Sequence, residues 1–229
     1  MMGTRIGSPT IVTDGIVFYV DAGDKISYPG SGTTWSDLGR HKTNATLVGS
    51  PTFDSGNGGC FDMDGSDDVA NASDANLPLG SSARTICAWI TNTRKDAWVS
   101  ICHYGTSSNN SSNFFSIGDN SDGYKLHMAA FNNTADGSTA AVPNDEWCHV
   151  AMSYGSNAVN YYINGSASGG DASYTGVNTT SDGTLAIGEN KYASVHRDGK
   201  ISSFIIYDRA LTASEILKNY NAQKYRFGL

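Results

Sequence analysis

Charge is scarce in this chain. Of its 229 residues only 16 % are Lys, Arg, Asp or Glu, and only Glu146, Glu189 and Glu215 are glutamate. The fifteen Lys and Arg stand singly against 22 carboxylates, giving a formal net charge of −7. Polyanions are bound by clustered cations, so nucleic acid is excluded as a partner. The densest basic stretch, Arg40-His41-Lys42, is too short to form a patch. Long apolar runs are missing too: no window approaches the ~18 apolar residues of a membrane span. Residues 1–9 lack the apolar stretch of a signal peptide. The chain is therefore expected to be made without a leader, in the cytoplasm of its host cell, and to insert in no membrane.

Several chemical signatures are also missing. There is no G-x-G-x-x-G or P-loop for a nucleotide and no G-x-S-x-G elbow for a serine nucleophile. No two of His41, His103, His127, His149 and His196 share a zinc spacing. His149 is expected to pack beside Trp147. The cysteines, Cys60, Cys87, Cys102 and Cys148, sit in strand-like runs with no C-x-x-C among them. They are expected as buried free thiols, with two disulfides as the alternative.

What the chain does have is strand-and-turn composition: 26 Gly, 39 % hydrophobic residues and 10 % aromatics, enough to fill a core between two sheets. Apolar alternation predicts strands at 16–21, 60–63, 85–90, 98–103, 114–117, 124–131, 147–154, 159–163, 184–187 and 201–207. Asp122-Gly123 and Asn164-Gly165 each predict a type I′ hairpin. Thr212-Ala213-Ser214-Glu215 reads as a capping box, with Leu211 and Ile216 as its hydrophobic staple. A helix of two to three turns should start at residue 213 and dock through Ile216, Leu217 and Tyr220. Residues 1–13 are expected to form a short arm that orders on assembly, and 14–229 one domain. The class is all-β: a two-sheet antiparallel sandwich with one short C-terminal helix.

Seven segments together resemble the laminin-G-like jelly rolls of the concanavalin-A-like lectin and glucanase superfamily. They are GIVFYVDA at 15–22, TWSDL at 34–38, GCFDMDG at 59–65, TICAWI at 85–90, EWCHV at 146–150, YING at 162–165 and IIYDRAL at 205–211. The resemblance implies a jelly roll with its first and last strands adjacent. The stretch 19–38 and the tail 219–229 further resemble the laminin-G-like proteins of tailed bacteriophages. That likeness implies a non-enzymatic virion surface protein, a capsid decoration or a fibre-associated jelly roll, whose partners are other virion proteins or identical copies.

Glucanases of this superfamily use a Glu-x-Asp-x-(x)-Glu strand motif that sets two carboxylates about 5 Å apart for a retaining mechanism. The three glutamates here do not supply it, and Asp62 with Asp64, though on one strand face, are expected to face solvent. Relatives that carry calcium at the sandwich rim imply Asp21, Asp64, Asp67, Asp68 and Asp198 as ligands. A sugar site needs exposed aromatics beside amides or carboxylates. The pairs available are Tyr28 and Trp35 with Asp37, Tyr104 with Asn109 and Asn110, and Tyr192 with Asn190. The alternative reading is thus a calcium-dependent lectin-like module that adheres to host-surface glycans.

Overall fold

Alternation along each strand decides which side chains fill the space between two sheets and which are left for the outer faces. The computed structural model describes residues 10–93 and 98–229. Its strands are β1 (Ile16–Asp21), β2 (Thr34–Trp35), β3 (Ala45–Val48), β4 (Thr52–Asp54), β5 (Cys60–Asp64), β6 (Val69–Ala72), β7 (Arg84–Ile90), β8 (Val99–Gly105), β9 (Ser112–Ile117) and β10 (Leu126–Ala130). There follow β11 (Asn133–Thr134), β12 (Cys148–Gly155), β13 (Ala158–Ile163), β14 (Ser166–Asp171), β15 (Leu185–Ile187), β16 (Glu189–Asn190), β17 (Val195–His196), β18 (Asp198–Tyr207) and the helix α1 (Ala213–Gln223).

The first sheet runs β14-β13-β12-β7-β18-β5-β4, with β1 also paired to β18; the second runs β11-β10-β9-β8-β15-β6-β3-β2. First and last strands are neighbours through an antiparallel ladder, Val20 opposite Phe204. In β7, Ile86, Ala88 and Ile90 face the second sheet and join Phe18, Phe61, Ile101, Phe115, Met128 and Phe204 in the main core. The intervening Cys87 and Trp89 point the other way, yet all seven residues of β7 are buried. A strand buried on both faces needs a second cover.

The helix provides it. Ile216 and Leu211 pack with Cys87, Ala151, Ile205 and Tyr207 on the outer face of the first sheet. Trp89 is stacked by Phe227, with ring centroids 4.1 Å apart, and by Tyr220 at 5.7 Å. The capping box forms as the sequence predicts: Thr212 Oγ1 accepts the Glu215 N–H, and Glu215 Oε2 accepts the Thr212 N–H at 2.9 Å. Leu217, expected to dock, is exposed, because at this point of the helix the buried stripe runs through Ile216 and Asn219. Among the described residues no helix is long and apolar enough to cross a membrane.

Two further expectations are corrected. Within the expected arm, the Val12 N–H donates to Asn219 Oδ1 at 2.8 Å and its carbonyl accepts from the Tyr207 hydroxyl at 2.9 Å. Residues 1–9 of that arm lie outside the described residues. At Asp122-Gly123 the link between β9 and β10 is a longer loop, with positive φ on Gly123 and Tyr124, because Asp122 turns to meet His127 at 3.1 Å. Asn164-Gly165 does form the tight turn, at φ 50° and 75°. Finally, His149 packs on Trp89, 5.4 Å between ring centroids, while Trp147 lies against Phe227. Strand parity puts His149 and Trp89, directly opposite in the ladder, on the same outer face.

Candidate functional site: an aromatic cleft on the uncovered sheet

The helix covers only the first sheet. On the outer face of the second, cross-strand register sets His103, Phe114 and Ala129 in a row across β8, β9 and β10. Phe114 is outward because its neighbour Phe115 takes the inward position in the core. Chain leaving β15 then folds back over this row as the β16–β17 hairpin, which carries Asn190 and Tyr192. Together with Trp98, Phe131, Asn132 and Thr134 these residues line a cleft of about 330 Å³.

Its geometry is a corner. The Tyr192 ring stands at 89° to His103, with centroids 4.3 Å apart, and at 88° to Phe131 at 5.6 Å. His103 is covered by that contact, so the rings a ligand can reach here are Tyr192 and the half-buried Phe131. Tyr192 is 37 % exposed, and its hydroxyl is anchored on the Gly105 carbonyl. Beneath it, His103 is buried and neither ring nitrogen has a hydrogen bond of good geometry, although the Asn190 amide stands close enough to act on it. Burial pushes that imidazole down to about 3, with the Lys191 charge adding to the effect, so it is neutral.

The sugar-site residues read from the sequence divide sharply. Tyr192 and Asn190 line the cleft, and Asn109 braces its rim by accepting from Asn132 Nδ2 at 2.7 Å. Tyr28, Trp35 and Tyr104 do not serve as platforms: they are 4 %, 0 % and 0 % exposed. Tyr28 and Trp35 each meet Phe61 in a T-shaped contact, at 4.8 and 4.9 Å between ring centroids, and Tyr28 meets its need for a partner by donating to the Gly32 carbonyl. The Tyr104 hydroxyl bonds Pro78 O and receives Arg84 Nη1. Asp37 is consumed by the backbone amides of Tyr19, Gly39 and Thr43. Trp98, His103 and Phe131 were not singled out for the site, although the adjacent pairs Phe114-Phe115 and Ala130-Phe131 imply that one of each lies on an outer face.

The acidic residues divide as well. Asp64, Asp67 and Asp68 each bring an oxygen within 4.8 Å of the others. Asp198 sits opposite Asp64 in the ladder and lines the same cleft beside Gly49 and Ser50. Asp68 is buried and accepts the Asp64 N–H at 3.0 Å. Burial, and after it the Asp64 and Asp67 charges, push its carboxyl above the ordinary range despite that bond. Crowded hard oxygens of this kind are a donor set that fits Ca²⁺. Asp21 is elsewhere, bound by Arg226 Nη1 at 2.7 Å and by the Gly23 N–H at 2.8 Å, so it belongs to the closure of the chain's end. Asp62 and Asp64 are exposed, and Lys200 lies 3.8 Å from Asp62. No Asp or Glu is among the described residues lining the aromatic cleft.

A family model described as the concanavalin A-like lectin/glucanases superfamily matches residues 64–217. The solved structures that share the fold include three of different kinds. Domain 4 of AbnA, a GH43 extracellular arabinanase from Geobacillus stearothermophilus, in complex with arabinotriose, is 18 % identical with a TM-score of 0.70. That match covers 91 % of this chain and all of that one. Trypanosoma rangeli sialidase in complex with sialic acid is 16 % identical with a TM-score of 0.69, covering 97 % of this chain but 36 % of the sialidase. The receptor-binding domain of botulinum neurotoxin C/D mosaic serotype is 13 % identical with a TM-score of 0.70, covering 93 % of this chain and 52 % of that domain. At such identities the likeness is one of fold. No curated protein sequence matches.

Proposed function

The chain belongs to the concanavalin A-like lectin/glucanases superfamily, and on that footing we propose that it is a carbohydrate-binding module whose sugar site is the aromatic cleft of the second sheet. The observation that carries this reading is the right-angled corner of Tyr192 against His103 and Phe131, with the amides of Asn132 and Asn190 on the same lining. Sugars present an apolar C–H face to a ring and a rim of hydroxyls to amides, and the corner offers both at once. The module is proposed to act without catalysis. A divalent cation, Ca²⁺ by its oxygen donors, is proposed to sit among Asp64, Asp67 and Asp68 with Asp198 at the margin, at the far end of the segment that carries Asn190 and Tyr192.

A glycan array run in calcium and again in chelator tests both parts. Binding that is lost in Tyr192→Ala supports the cleft, and binding weakened by chelator supports the cation. A blank array in both conditions removes the reading. The finer setting, a virion surface where the chain meets other virion proteins or its own copies, draws on the likeness of residues 19–38 and 219–229 to phage laminin-G-like proteins. Immunodetection in purified particles supports that setting, and absence from them removes it.

A further inference from the structure

The cleft's chemistry narrows the ligand, on the glycan-binding reading above. The hydrogen-bonding side chains that line it are Trp98, Ser112, Asn132, Thr134, Asn190 and His103, together with Tyr192, whose hydroxyl is already donated to the Gly105 carbonyl. Ser, Thr and Asn are uncharged at any ordinary pH, and each can both donate and accept. The two that titrate are also neutral: burial holds the His103 imidazole unprotonated and pushes the Tyr192 phenol upward. Among the described residues, the cation Lys191 adjoins both Asn190 and Tyr192 in sequence but is committed elsewhere. Its Nζ bonds Asp182 Oδ2 at 2.6 Å and the Thr184 carbonyl at 2.9 Å. Asp182 is held by the same contact. A carboxylate entering this corner would lose water and find no counter-ion among the described lining residues, a situation buried charges avoid. Sugar hydroxyls, which also donate and accept, can be met by the amides of Asn132 and Asn190. The volume, about 330 Å³, is at the small end for a ligand site and suits a terminal sugar or disaccharide.

We infer that the ligand is an uncharged sugar, taken as a terminal mono- or disaccharide unit, and that the cleft discriminates against glycans ending in a carboxylate. Binding is accordingly level between pH 5.5 and 7.5, since the titratable lining groups, His103 and Tyr192, keep their charge in that interval, while His127, which packs against the lining Trp98 at 4.5 Å between ring centroids, is engaged with Asp122 at 3.1 Å.

The test is calorimetric titration of the whole chain with neutral glycosides (methyl galactoside, glucoside, mannoside, N-acetylglucosaminide and arabinofuranoside) and with the matched pair lactose and 3′-sialyllactose, at both pH values. At least one neutral sugar should bind, with its acid-terminated counterpart at least ten-fold weaker and the affinities unchanged by pH. Asn190→Arg, which adds a cation to the wall, should narrow that gap. An acidic glycan that binds as well as its neutral counterpart, and is lost in Tyr192→Ala, overturns the neutral specificity while leaving the sugar site standing. Failure of every glycan to bind, or binding indifferent to Tyr192→Ala, overturns the underlying reading as well.

Discussion

Asp21 separates two accounts of this protein, because a rim aspartate that ends a strand can be a calcium ligand or a structural anchor. In the structure it is 4 % exposed and accepts from Arg226 Nη1, the Gly23 N–H, Tyr19 and Gln223, which ties β1 to the end of the chain. Asp21→Asn keeps the shape and one acceptor oxygen but leaves Arg226 without its counter-charge. Breaking a buried ion pair costs about 3–5 kcal/mol. Arg226 is 26 % exposed and can recover some hydration, which brings the expectation down to about 2 kcal/mol. For a domain of this size that is a fall in melting temperature of roughly 4–8 °C. Urea unfolding of the wild type, Asp21→Asn, Arg226→Met and the double variant gives the coupling directly, expected near 1–2 kcal/mol. A coupling below about 0.5 kcal/mol, or a stability loss that disappears when calcium is chelated in all four proteins, would refute the anchor and restore Asp21 as a ligand.

Three further outcomes are expected. Arg209 grips Glu215 with two bonds, at 3.0 and 2.7 Å, and holds its carboxyl down to about 2 from the ordinary 4.5. A carboxyl depressed on folding stabilises fully above its unfolded value and progressively less as pH falls toward its folded one. Glu215→Gln should therefore flatten the fall in melting temperature between pH 5 and 2, and an unchanged acid limb would count against the pair. Burial pushes the Cys60 thiol up to about 11 and those of Cys87 and Cys148 up to about 12, with Cys102 also raised. An aromatic disulfide reagent at pH 8 should label almost nothing in the native protein and four thiols in guanidinium; fewer than four would point to disulfides. Arg197 is fully buried and bonds the carbonyls of Ser100 and Thr91, on either side of Trp98. Arg197→Met leaves both carbonyls unpaired and should cost about 1–3 kcal/mol in urea unfolding, with Arg197→Lys recovering part of it.

The strands readable from the sequence are those in which alternation persists for four residues or more, and each of the ten predicted runs overlaps an observed strand. The strands that went unread have physical reasons to be silent. β14, Ser-Ala-Ser-Gly-Gly-Asp, lies at a sheet edge and is held by its ladder with β13, so it needs no apolar pattern. β6, Val-Ala-Asn-Ala, is packed between β15 and β3 with small side chains where a longer apolar run would be needed to signal a strand. Ser156-Asn157, both at positive φ, turn β12 into β13 as tightly as Asn164-Gly165 turn β13 into β14, yet without a glycine to mark the turn.

The site was half legible for a related reason. Composition shows that a ring exists but not which face of its strand it occupies, and Tyr28, Trp35 and Tyr104 all went inward. Parity supplies what composition lacks. Two adjacent aromatics in one strand, such as Phe114-Phe115, cannot both enter the core, so one must lie on an outer face. The described residues hold a single α-helix, and Leu211, Ile216 and Tyr220 commit it to the face that bears Cys87, Trp89 and Tyr207. A second apolar outer face then has no helix left to cover it. His103, Phe114, Phe131 and Tyr192 fall on that remaining face and close against one another only in part. Counting outward aromatics against available covers thus locates the cleft from the sequence, and it does so because burying a ring needs a partner that this chain has already used elsewhere.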